Sequence, residues 1–188
     1  MNPGGEMETL PRQASIALVA RCAEMLLPTL ASLWPNMPER DKTLVIRAVQ
    51  DAISVARYDA EVPGLPNTAT EITQLVGRLT LHLHGLPVET ELPASVTNLQ
   101  TERIQTIRNI IDVAARSARA AVATDLAMTS SECDDGISWA MCVARETQNS
   151  GLLEELDETI ALLQQCCVEG LLTDESPVWW TGVGWQFG

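Results

Sequence analysis

The chain has 188 residues, of which 46% are apolar, 20% charged and 4% aromatic. That composition belongs to one globular domain able to bury its own core, and it excludes a disordered chain. A net charge of −13 disfavours nucleic acid and anionic membrane as partners, because a surface of that sign repels both.

The charge is unevenly spread. Residues 1–128 hold 14 acids and 11 bases, whereas residues 129–188 hold 11 acids and one base, Arg145. Such an asymmetry steers a basic protein partner by long-range attraction, or simply keeps the protein soluble. The opening MNPGGEMETLPRQ carries Glu6 and Glu8 without a basic and then apolar run, so it does not read as a secretory signal. Nor does any uninterrupted apolar run approach the roughly 20 residues that cross a bilayer. A cytoplasmic protein with a flexible stretch over residues 1–10 is the expectation.

The first helix is expected over Pro11–Trp34, where Ile16, Val19, Ala23, Leu26, Leu30 and Leu33 recur at three and four residues. Pro28 lies inside it and should kink or break it, since proline lacks the amide donor and crowds the preceding turn. Asn36, with Glu39 three residues on, is placed to cap a second helix to about Ala60. Its inner face is Val45, Ala48, Val49, Ala52 and Ala56. After EVPGLPN, Thr68 and Glu71 form a capping box for a third helix with the stripe Ile72, Leu75, Val76, Leu79 and Leu83, ending at Gly85. LPVETELPAS follows as an extended, proline-bounded loop.

The fourth helix, about Asn98–Met128, is the longest, with Ile104, Ile107, Ile111, Ala114, Ala118 and Val122 on one side. Its alanine-rich half, ARSARAAVA, lets neighbours approach closely and points to the centre of the fold. Arg108, Asp112 and Arg116 are spaced to pair along it. The fifth spans about Glu132–Gln148, with Ile137, Ala140, Met141 and Ala144 inward. Ser150 is placed to cap the sixth, where Leu153, Leu156, Ile160, Leu163 and Cys167 make a narrow seam and Gly170 closes the end. Its acids Glu154, Glu155, Asp157 and Glu158 have a local explanation in the positive end of the helix dipole. Together these make an all-α, single-domain antiparallel bundle of about six helices over residues 11–170. Residues 171–188 follow as a tryptophan-rich tail packing on the bundle.

No motif for chemistry stands out. His82 and His84 are the two histidines, and two residues apart on a helix they point away from each other, so no metal site follows. SECDDGISWAMC places Gly136 where a calcium loop wants glycine, but the required carboxylates are missing at the third and twelfth positions. The five cysteines Cys22, Cys133, Cys142, Cys166 and Cys167 contain no CxxC spacing and read as reduced core thiols. Cys133, in the polar run TSSECDDG, is the one expected at the surface. No catalytic residue, cofactor or metal is therefore assigned.

The tail TDESPVWWTGVGWQFG gathers Trp179, Trp180, Trp185 and Phe187, the only phenylalanine. These aromatics either plug a groove of the bundle or form a binding patch ringed by carboxylates. Adjacent Trp179 and Trp180 point to opposite sides of an extended segment, so one can anchor while the other faces out.

IALVARCAEMLLPTLASLWP, followed by DKTLVIRAVQDAISVARYDAEVPG, resembles the opening helices of a helical immunity-protein family of bacterial polymorphic toxin systems. In that family a "CAE..LP" helix precedes an alanine-rich helix that ends before a glycine. ARSARAAVATD and LLTDESPVWWTGVGW are similar to the later helix and tail of the same family. The resemblance implies an intracellular protein that binds and neutralises a cognate toxin, and it carries over no site residue. A basic toxin domain is the expected partner, met by Glu154, Glu155, Asp157, Glu158, Asp174, Glu175, Trp179, Trp180 and Trp185. Two other readings stand beside it: a helical adaptor or assembly subunit, with a homo-oligomer as one form of it, and an enzyme with an acidic site that carries no motif.

Overall fold

The computed structural model describes residues 10–33, 39–61, 94–123, 125–173, 176–181 and 184–187. The expected third helix with His82 and His84, the loop after it, the Asn36 cap, Asp174 and Glu175 lie outside the described residues. Within them the protein is mostly helical with a small antiparallel two-stranded sheet. The elements are α1 (Arg12–Leu33), α2 (Glu39–Glu61), α3 (Ala94–Val122), α4 (Leu126–Glu146), α5 (Ser150–Val168), β1 (Val178–Thr181) and β2 (Gly184–Phe187).

Helix α1 occupies the middle. Every residue from Gln13 to Ala20 is buried, so its first half is enclosed on all sides rather than along one stripe. It packs against α2, α3, α4, α5 and β1, while α3 meets α1, α2 and α4. The central place expected of α3 is thus shared with α1. Enclosure also accounts for its composition: α1 is, among the described helices, the one long and apolar enough to cross a membrane. The helix continues through Pro28 to Leu33 without a break. Leu10, just before it, is buried in the core rather than part of a flexible lead.

Helix α2 buries Val45, Ala48, Val49, Ala52 and Ala56 as its spacing dictates. Near its end Asp59 is also buried, and Arg12 Nη1 meets its Oδ2 at 3.0 Å. The same guanidinium donates to the Ala121 carbonyl at 2.8 Å, one of the last acceptors of α3. One arginine therefore joins the start of α1 to the ends of α2 and α3, where helix carbonyls attract a cation.

Between α3 and α4 the charges form a network. Arg116 reaches Asp112 at 2.8 Å, Glu132 at 3.1 Å and Asp135 at 2.7 Å, and Arg119 reaches Glu132 at 3.0 Å and Asp112 at 3.4 Å. The i, i+4 pair Asp112–Arg116 is present, and two acids of the C-terminal third are spent holding α4 to α3. Helix α3 starts earlier than expected and stops at Val122 rather than Met128. The stop has a cause: Asp125 Oδ1 accepts from the Met128 amide at 2.8 Å and opens a new helix. Helix α4 consequently begins at Leu126, six residues before the expected Glu132.

Gly136 faces α1 at close range. A Cβ built there would meet Val19 Cγ1 at 2.7 Å and Arg116 Cβ at 3.6 Å. Val19 is fully buried and its branched side chain has little room to turn. Gly136→Ala is expected to destabilise by about 1–3 kcal/mol through overpacking, offset by at most about 1 kcal/mol of helix propensity. Adding Val19→Ala should recover part of that loss in a thermal-melt double-mutant cycle. A Gly136→Ala protein that melts like the parent would show that α1 and α4 part without loss.

Candidate binding surface

Helix α5 is capped by Asn149, whose Oδ1 accepts from the Leu152 amide at 3.1 Å, not by Ser150, which is its first helical residue. Its end is the expected one. Gly170 takes φ +74°, its amide donates to Cys167 O at 3.0 Å, and the Leu171 amide donates to Cys166 O at 2.9 Å. These two bonds are a Schellman motif, which needs a left-handed residue at Gly170.

The buried seam of α5 is Leu152, Leu156, Thr159, Leu163 and Cys166, with Ile160 beside it. Five positions differ from the expected seam: Leu153 and Cys167 are half-buried, and Leu152, Thr159 and Cys166 take inward places. Thr159 is inside because it has work there: Trp185 Nε1 donates to its Oγ1 at 3.3 Å. A buried indole N–H needs such an acceptor.

The tail is a β-hairpin docked on the helices. The register pairs Val178 with Phe187, Trp179 with Gln186, Trp180 with Trp185, and Thr181 with Gly184. Strand alternation puts Val178, Trp180, Trp185 and Phe187 on one face. That face turns to the bundle, since Val178 is fully buried and Trp185 and Phe187 pack against the core. Trp179 and Gln186 take the other face. Trp180 and Trp185 meet edge to face with ring centroids 5.7 Å apart. The Arg21 guanidinium lies 4.2 Å from the Trp180 ring centre, and is itself held by Glu155 at 2.9 Å and Glu24 at 2.7 Å. Arg57 Nη2 donates to the Trp180 carbonyl at 2.9 Å. Ala17, Ala20, Ile53, Val178, Arg21 and Arg57 help line an open groove beneath Trp179 and Trp180.

The candidate residues thus divide. Trp179, Trp180 and Trp185 are all half-buried and share the hairpin. Glu155 joins them through Arg21. Glu154, Asp157 and Glu158 are exposed and form no salt bridge among the described residues. At about 100° per residue, Glu158 lies nearest the Glu155–Thr159 face that meets the hairpin, while Asp157 points elsewhere. The first turn of α5 holds no acid, so the dipole explanation for these carboxylates falls away, because that effect fades beyond the first turn. The ring around Trp180 is correspondingly arginine backed by carboxylate, not carboxylate alone. Sequence reasoning missed Arg21, Arg57 and Thr159. The available signal was Arg21 with Glu24 three residues on, two charges in the middle of a largely apolar helix.

Cys133 is fully buried, not at the surface as its polar neighbours suggested. Its place on α4, three residues before Gly136, turns it inward with the close α1 contact. Burial, then the charge of Asp134, pushes its thiol well above the ordinary range, and burial pushes Cys22 up to about 12. Neither is a thiolate at neutral pH, so neither serves as a nucleophile. Both should alkylate with iodoacetamide about 100-fold or more slowly than an exposed thiol until the protein unfolds. Native labelling of Cys133 at the rate of a surface thiol, read by mass spectrometry, would contradict its burial. Among the described residues no group of three or more histidine, cysteine or acidic side chains is arranged to hold a metal.

The chain matches no family model, no curated protein and no solved structure.

Proposed function

We propose that this protein is a bacterial immunity-type binder that neutralises a cognate toxin in the cytoplasm through an acidic, tryptophan-bearing surface. In this reading the fold is one antiparallel bundle of about six helices, with the aromatic tail an integral part of it. The observation that carries the reading is the docked hairpin, whose half-buried tryptophans meet α5 at Thr159, next in sequence to the exposed Glu158, which forms no salt bridge among the described residues. Aromatic anchors bordered by charge are how tight protein interfaces are built. Carboxylates without internal partners are free to steer a basic partner.

The test is neutralisation. The protein encoded by the neighbouring gene should arrest growth when expressed alone, and co-expression with this chain should relieve the arrest. Converting Glu154, Asp157 and Glu158 to their amides, while leaving the Arg21-bound Glu155 intact, should slow association about 10-fold at low salt with little change in dissociation. An arrest that co-expression leaves untouched would sink the proposal. The end of α5 supports a second reading as an assembly subunit, since Val168 is 89% exposed and Leu171 58%. Oligomers that persist in high salt would favour it over the toxin-binding one.

A further inference from the structure

We infer that the outer edge of β2 takes an extended, basic segment of a protein partner as a third strand; this deepens the binding reading above and rests on it. The edge is defined by one hydrogen bond. Trp180 gives its carbonyl to Arg57 at 2.9 Å, so its main-chain groups point away from β2. In an antiparallel ladder the residue opposite an outward-pointing one also points outward. Trp185 is opposite Trp180, so its N–H and C=O face away from β1. The pattern repeats two residues on, at Phe187 opposite Val178.

The two edges differ in what covers them. Strand β1 lies along α1 and α2, and Arg57 closes its edge. On β2 the outward N–H and C=O of Trp185 and Phe187 make no hydrogen bond among the described residues. Unpaired main-chain groups in strand geometry are a template for an incoming extended chain. The template is held rigid, because Trp180 and Trp185 meet edge to face and are fixed by Arg21 and Thr159. Charge chooses the occupant. Thr159 sits under Trp185, and its neighbour Glu158 is exposed and unpaired among the described residues. A segment carrying lysine or arginine finds its counter-charge there. A second copy of this chain would bring another −13 to the same place.

The experiment uses the full chain and an acetylated, amidated octapeptide of alternating lysine and valine as probe. The parent is expected to bind it, with amide exchange at Trp185 and Phe187 slowed at least 10-fold on binding. A semisynthetic full-length protein N-methylated at Phe187 loses one outward donor and keeps its inward ring. It should melt like the parent and bind the peptide at least 10-fold more weakly. Glu158→Gln should weaken binding about 3-fold at low salt and less at high salt. Equal binding by the methylated protein, or no slowing of exchange at Trp185 and Phe187 in the parent, would overturn the inference. So would a parent that dimerises through this edge, because the edge would then belong to a second copy. Peptide binding at β2 without relief of growth arrest would sink the immunity reading and leave the edge standing. Relief of arrest that survives N-methylation and peptide competition would do the reverse.

Discussion

Replacing Arg12 by alanine lowers the unfolding free energy by roughly 3–5 kcal/mol, the usual result of stranding a buried charge. At a few degrees per kcal/mol for a chain of this size, Tm should fall by on the order of 10 °C. Asp59 is 6% exposed, and burial already raises its pKa against the pull of Arg12. A raised folded-state pKa sets the sign of the linkage. Its stability contribution is fully present below the unfolded value of 3.8 and is lost as pH rises through the folded value. Without Arg12 the folded value climbs further, so the deficit of Arg12→Ala is larger at pH 7 than at pH 4 and shrinks on acidification. What remains at low pH is the lost capping of α3 at Ala121. Asp59→Asn in the Arg12→Ala background should restore much of the loss at pH 7, because it removes the stranded charge. A deficit that does not vary with pH would mean that Asp59 is not the group Arg12 supports.

The sequence made the helices legible where one face decides burial, and less so where a single side chain or a distant partner decides. The α2 face of Val45, Ala48, Val49, Ala52 and Ala56 follows from period alone, because a half-exposed helix prints its buried side in its spacing. Helix ends were another matter. The α3–α4 junction turns on Asp125 and the start of α5 on Asn149, and each neighbouring sequence offers several residues able to cap. The seam of α5 shifted because an indole from the tail supplies a reason to bury Thr159, and no local pattern contains that indole. The hairpin itself was not anticipated, because two four-residue strands are too short to print a clear alternation in the sequence. Aromatic crowding drew attention there without fixing the register.

The site was legible in its tryptophans and not in its arginines. Arg21 meets Glu155 across 134 residues of chain, and Arg57 meets Trp180 across 123. Such pairs belong to the tertiary fold, and their sequence trace is a charge in an apolar context without a stated partner. Cys133 shows the opposite error. Its neighbours Glu132, Asp134 and Asp135 are polar, yet a helix turns each successive residue by about 100°, so a buried thiol sits among them without conflict.

Deleting residues 177–188 should destabilise the bundle by several kcal/mol, the second large effect the structure implies. The deletion removes fully buried Val178, the packed faces of Trp185 and Phe187, and the ring over Arg21. Each large apolar side chain taken from full burial is worth roughly 1.5–3 kcal/mol, and these rings are half-buried, so each contributes part of that. Arg21 would keep Glu24 and Glu155 but lose its aromatic cover, and Thr159 would lose the indole donor. Single changes should then separate by face. Trp180→Ala removes the contact with Trp185 and the seat of Arg21, and should lower Tm by more than Trp179→Ala, whose side chain points away from that cluster. Trp185→Phe keeps most of the apolar area and deletes the N–H, so its loss isolates the bond to Thr159, about 1 kcal/mol. If Trp179 belongs to the binding surface, Trp179→Ala should weaken partner association while melting close to the parent. A truncated protein that melts like the parent would mean the hairpin rests on the bundle without supporting it. Binding would then be the one role left for its four aromatic rings.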